Sequence, residues 1–128
     1  MGQEKTNRVD REVIRAVGPF GGGIASTGKI CGCVSGGVAL LGSLYGKSEP
    51  GEEEDPRMWK VGYRLVRGFE KLTEQYGSPN CCDIANVDWT NRDDVKSFYS
   101  GADGRRERCC RLVGETAKLL GELLEKFS

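Results

Sequence analysis

The 128-residue chain contains no histidine. That absence excludes Ser-His-Asp and Cys-His catalysis, histidine-ligated haem, and every zinc site with imidazole ligands. It also lacks net charge, because 19 Lys and Arg balance 19 Asp and Glu. A general nucleic-acid binder carries a basic surplus, so no nucleic-acid partner is expected. Long apolar runs are missing too. The most apolar stretch, from Val34 to Tyr45, is broken by Ser and Gly and is too short to span a bilayer, so no membrane partner is expected. The N-terminal residues are polar, with no apolar segment of a secretory signal, which makes a cytoplasmic protein the default.

Cysteine and glycine are abundant instead. There are six Cys, and the 19 Gly are about twice the usual share. Ten of those glycines fall between Gly18 and Gly46. In a reducing compartment, clustered Cys point to metal binding or redox catalysis more than to structural disulfides.

The spacing of apolar residues predicts an all-α, single-domain bundle of four to five helices over residues 1–128, with 1–8 disordered. Asp10 caps a helix over 11–17, which Gly18-Pro19 stops. A second helix over 30–45 carries Ile30, Val34, Val38, Leu41 and Tyr45 on its apolar face. Gly32, Gly36, Gly37 and Gly42 lie inside it, at about 1 kcal/mol each relative to Ala. That cost calls for a tertiary reason, such as close approach of a helix or a bulky cofactor, and Gly32 and Gly36 are the candidate cofactor-binding positions. Residues 47–55 read as an acidic surface loop. Asp55-Pro56 starts a helix running to Tyr76, with Trp59, Tyr63, Val66, Phe69, Leu72, Thr73 and Tyr76 as its core stripe. A short segment over 81–85 follows, then a small helix over 92–99 capped by Thr90 or Asn91. Asp103 caps the last helix, 105–127, with Cys109, Leu112, Val113, Leu120, Leu123, Leu124 and Phe127 as its apolar face.

The six cysteines form three pairs, Cys31-x-Cys33, Cys81-Cys82 and Cys109-Cys110, each near an expected helix start. Free N–H groups and positive potential at a helix N-terminus favour thiolate, the species that binds metal or attacks a disulfide. Neighbouring helical residues point about 100° apart, so at most one member of each adjacent pair faces a given site, the other being core or a second-tier ligand. Adjacent Cα atoms, about 3.8 Å apart, are also too close for an ordinary disulfide. The C-x2–4-C spacing usual for zinc is absent, whereas iron–sulfur clusters accept more varied spacing. Gly21-Gly-Gly with Thr27-Gly28-Lys29 is not a phosphate loop, because it lacks the G-x4-G-K-[ST] spacing. Arg105, Arg106, Arg108 and Arg111 read as a solvated basic face, or as a docking patch for an acidic redox partner. Trp89 reads as packing.

Three segments carry a family resemblance: Gly21-Gly-Gly-Ile24 with Cys31-Gly-Cys-Val-Ser-Gly-Gly-Val-Ala-Leu-Leu-Gly42 and Tyr45-Gly46; Tyr76-Gly-Ser-Pro-Asn-Cys81; and Arg108-Cys109-Cys110-Arg-Leu-Val113. Over about residues 10–127 the chain resembles the redox-active proteins named for a C…GCAxxG…C…C pattern. Cys31, Cys81 and Cys109 match family cysteines. The family's upstream Cys is missing, Cys33 stands where the family usually has Ala, and Cys82 and Cys110 are extra. The resemblance to this mostly anaerobe-associated family, which is similar to a module of split-Soret cytochromes, implies redox work with an iron–sulfur cluster. Cys31, Cys81 and Cys109 would be core ligands, and Cys33, Cys82 or Cys110 the fourth. The reading is therefore a small electron-transfer protein serving a redox partner protein, with a homodimer as a way to cover what the missing helix leaves open. The alternatives are a metal-free thiol–disulfide oxidoreductase with Cys31 as nucleophile and Cys81 or Cys109 resolving, and a soft-metal (Cu or Zn) binder.

Overall fold

The computed structural model describes all 128 residues and is mostly helical, with no strand. Seven α-helices occur, of which five have seven residues or more. They are α1 (Gly2–Lys5), α2 (Arg11–Val17), α3 (Gly32–Tyr45), α4 (Arg57–Thr73), α5 (Cys81–Ile84), α6 (Arg92–Ser100) and α7 (Arg105–Lys126). The five longer ones are those the periodicity predicts. The two additional single turns are too short to leave a periodic trace.

Local chemistry sets most boundaries. The Asp10 carboxylate accepts the Glu12 and Val13 amides at the head of α2, and the Asn91 side chain accepts those of Asp93 and Asp94 at the head of α6. Asp55 acts one residue earlier than expected. Pro56 is the N-cap, and the Asp55 carboxylate accepts the Arg57 amide at 2.9 Å. α4 ends at Thr73, and its last expected turn tightens into a 3₁₀ turn, Glu74–Tyr76, before left-handed Gly77. The segment expected to be disordered is tied down at both ends. The Gln3 side chain bridges to the Asp10 backbone, and Lys5 pairs with Glu125 on α7.

The bundle is built on α3, α4 and α7, which pack against one another. Leu40 and Leu41 of α3, Val61 and Leu65 of α4, and Leu120 and Leu124 of α7 form one end of the core. Val34, Phe69, Ile84 and Leu112 fill the middle. Cys81, Ala85, Val87 and Phe98 extend it beneath α6. The stripe expected on α4 is only half right. Phe69 and Thr73 are fully buried, but Trp59 and Tyr63 are 65% and 63% exposed. The inward stripe runs Val61, Leu65, Phe69, Thr73 at steps of four, and Trp59 and Tyr63 lie about 200° from it on the helix. Val38 and Val113, also expected inside, are exposed.

Candidate thiol centre

Residues 22–26 all have positive φ, between 50° and 72°, including the non-glycines Ile24, Ala25 and Ser26. Such left-handed backbone costs roughly 1–2 kcal/mol for each L-residue. Hydrogen bonds hold the turn closed. The Ala25 amide donates to Pro19 O, Gly28 to Gly22 O and Lys29 to Gly23 O, while the Thr27 hydroxyl donates to Gly23 O and Ile24 O. The turn then grips α5, because the Cys81 and Cys82 amides donate to Lys29 O (2.7 Å) and Gly28 O (3.1 Å). Cys31 is clamped in the same way, its amide donating to Pro79 O at 3.1 Å. The two cysteine-bearing helix starts are thus stitched together by backbone.

Four of the six cysteines, Cys31, Cys33, Cys81 and Cys109, line one cavity of about 270 Å³. Gly21, Gly22, Gly23 and Gly32 form one wall, and Ile84, Trp89, Phe98 and Leu112 form the apolar remainder. Cys82 and Cys110 are exposed and lie outside that lining. The 100° step between neighbours explains the split. Gly36, expected beside a cofactor, instead lines an adjacent slot with Met1, Gly37 and Leu40, into which Cys33 also opens. A Cβ on Gly32 would sit 3.0 Å from Phe20 O, so its bareness serves the approach of the preceding turn. All six thiols are free. No three Cys, Asp or Glu side chains close on one point tightly enough to hold a metal ion as they stand.

The thiols differ sharply in acidity. Cys31 is pulled down to about 7, chiefly because the Cys33 thiol donates a hydrogen bond to its sulfur, with the Cys33 backbone helping against burial. Cys33, as that donor, is held far above an ordinary thiol; burial and the Cys31 and Cys109 charges add to this. Cys81 is raised by burial, with partial relief from the Trp89 indole. Cys109 is raised to about 11 by burial first and by Cys81 and Cys31 next, with Arg108 opposing. The expectation of thiolates at every helix start therefore fails at Cys33, Cys81 and Cys109, Cys33 because it is the donor to Cys31 and the other two chiefly through burial.

A family model described as "Putative redox-active protein (C_GCAxxG_C_C)" matches residues 1–123. The chain belongs to this family. No curated protein and no solved structure matches it. The family is named for its glycine–cysteine pattern, and in this member that pattern supplies the glycine wall and three of the four inward thiols, Cys31, Cys81 and Cys109, with Cys33 added by this chain.

Other expectations resolve away from the cavity. The arginine cluster is not simply a solvated face. Arg105 is 14% exposed and bridges Asp94 and Asp103, also donating to Asn86 O. Arg106 lies over Tyr99 and Arg108 over Tyr76. No helix is long and apolar enough to cross a membrane. Sequence reasoning missed Trp89 as a cavity wall with an unpartnered polar atom. Only its nearness to Cys81-Cys82 in sequence offered a signal.

Proposed function

We propose that this redox-family member binds an iron–sulfur cluster through Cys31, Cys33, Cys81 and Cys109 and transfers electrons to a partner protein. The observation that carries the reading is the gathering of four thiols from α3, α5 and α7 around one glycine-walled cavity. The donor chemistry fits. Thiolate is the ligand of such clusters, and only one of the four thiols ionises near neutral pH without help. A bound cation supplies the charge that offsets the mutual repulsion of the rest, deprotonating its thiol ligands outright. When bound, the cluster supplies one-electron chemistry. The chain's own contribution is apolar cover from Ile84, Phe98 and Leu112 and close backbone approach at Gly21 to Gly23.

The test is protein purified without oxygen, with visible absorption, iron and acid-labile sulfide measured on one sample. A brown protein with comparable iron and sulfide supports the reading. Single Ser substitutions at the four cavity cysteines then deplete iron, while Cys82→Ser and Cys110→Ser retain it. Colourless, iron-free protein after anaerobic reconstitution overturns it.

A second reading rests on the Cys31–Cys33 pair. Cys31, half ionised near pH 7 with the Cys33 thiol beside it, is placed to attack a disulfide, form a mixed disulfide and be resolved by Cys33. The substrate leaves as two thiols, and a Cys31–Cys33 disulfide remains. A free-thiol count that falls by two per turnover in colourless protein selects this reading.

A further inference from the structure

The Trp89 indole Nε1–H is shut away from water and has no hydrogen-bond partner. A buried donor without a partner is uncommon and calls for an explanation. Trp89 forms part of the wall of the thiol cavity. Its ring is fixed edge-on against Phe98, with centroids 5.7 Å apart, and tilted against Tyr99 at 6.3 Å. That aromatic triad leaves the indole little freedom to turn its N–H elsewhere. Trp89 packs against the buried cluster that holds Cys81 and Phe98, and the Cys81 thiol is the group its N–H makes more acidic against the effect of burial.

A neutral thiol is a weak acceptor, whereas a thiolate is a strong one. The contact is therefore incomplete while Cys81 carries its proton, and completing it requires negative charge on the sulfur. We propose that Trp89 is a positioning residue whose Nε1–H donates a hydrogen bond to the Cys81 sulfur once that sulfur is a thiolate, holding the ligand and raising the reduction potential of the centre. This rests on the reading of Cys81 as a metal-bound thiolate. The sign follows from charge: reduction adds negative charge that spreads onto the sulfurs, and an N–H donor stabilises the more negative state.

The chain has two tryptophans, so its two indole N–H signals are assigned with one Trp59→Phe variant. Loading reduced protein with Zn(II), which makes the Cys81 sulfur a bound thiolate, is expected to move the Trp89 indole proton downfield while the Trp59 signal holds still. The movement disappears in Cys81→Ser. In cluster-loaded protein, Trp89→Phe keeps the ring against Phe98 but deletes the N–H, and the midpoint potential is expected to fall. A Trp89 signal indifferent to both Zn(II) and Cys81→Ser overturns the contact, whether or not a cluster forms. An unchanged potential in Trp89→Phe overturns the tuning role while leaving the cluster reading standing. If no cluster assembles in the parent chain, the cluster reading and the tuning role fail together, and the indole signals still decide the contact.

A different surface carries an independent inference. A groove of about 560 Å³ runs between α3 and α4, floored by Gly42 and Gly62 and flanked by the exposed rings of Trp59 and Tyr63. At the Trp59 end, the indole donates to Glu54 of the acidic loop. At the other end, Arg67 lies over Tyr63 and pairs with Glu70, which also lines the groove, at 2.9 Å. Projecting rings and a bare floor on one face meet the self-complementarity that a two-fold contact demands. An antiparallel second α4, with the axis at Tyr63, sets the acidic end of each copy against the Arg67 end of the other. We propose that this groove docks a second copy of the chain. Analytical ultracentrifugation is expected to show a dimer that Arg67→Glu dissociates and Arg67→Glu with Glu54→Arg restores. Both sites are exposed, so folding is retained, as circular dichroism checks. A parent chain that stays monomeric at hundreds of micromolar, or a dimer indifferent to Arg67→Glu, overturns the proposal.

Discussion

Gly23 lies directly against Cys81: a Cβ on Gly23 would sit 2.6 Å from the Cys81 Cβ, and equally close to the Lys29 backbone N and O. The contact joins the left-handed turn to the cavity, so the glycine run and the thiols form one structural unit.

Gly23→Ala should therefore damage both stability and site. The added methyl meets backbone that cannot yield, at a φ of +72° that suits glycine. A loss of about 2–4 kcal/mol is expected from strain and overpacking together. Denaturant unfolding reads it, with Gly18→Ala as a control because nothing lies within 4 Å of a Cβ there. Equal stability of the two variants would remove Gly23 from the site.

The acidity of Cys31 depends on its neighbour. Peptide-resolved alkylation should show Cys31 reacting with a midpoint near pH 7 in the parent chain and at clearly higher pH in Cys33→Ala, because the Cys33 thiol is the largest cause of the lowering. The linkage to stability has a definite sign. A thiol more acidic folded than unfolded contributes stability that is complete above its ordinary value of about 9 and is lost as pH falls through about 7. Cys109, raised to about 11, acts in the opposite sense, favouring the fold below about pH 9 and losing that contribution as pH rises from there through about 11.

The glycines of α3 should separate by substitution. A Cβ on Gly37 would lie 2.8 Å from Leu65 Cδ2, in the core, whereas Gly36 and Gly42 face open space. Gly37→Ala should cost about 1–3 kcal/mol. Gly36→Ala and Gly42→Ala should each stabilise reduced, metal-free protein by about 0.5–1 kcal/mol through helix propensity. A destabilising Gly36→Ala would show that the slot beside Cys33 needs the space.

Arg105 should set part of the acid limb. Asp94 is held below the usual carboxylate range first by the Asp88 amide and then by Arg105, and Asp103 first by the Arg105 amide and then by its guanidinium. Depressed carboxylates contribute stability above their ordinary value of about 3.9, and lose it as pH falls through their folded values. Arg105→Gln should thus be less stable than the parent at pH 7, with the gap narrowing below about pH 3. A gap independent of pH would mean that Arg105 acts through packing alone.

The sequence by itself determined the element list. Asp10, Asn91, Gly77 and Gly101 act over one turn of chain, and apolar periodicity marks the five longer helices. It also limited each adjacent Cys pair to at most one member facing a given site, because the 100° step is a property of the helix alone. Tertiary structure decided which one. Cys81 and Cys109 face the cavity because α5 and α7 are held against the 22–26 turn and α3, contacts distant in sequence. Only packing could turn Trp59 and Tyr63 outward in favour of Val61 and Leu65, since aromatic mass carries no direction until the neighbouring helices arrive. The unequal thiols are likewise tertiary: acidity is set by burial and by the charges and donors brought near, and the spacing of cysteines along the chain specifies neither.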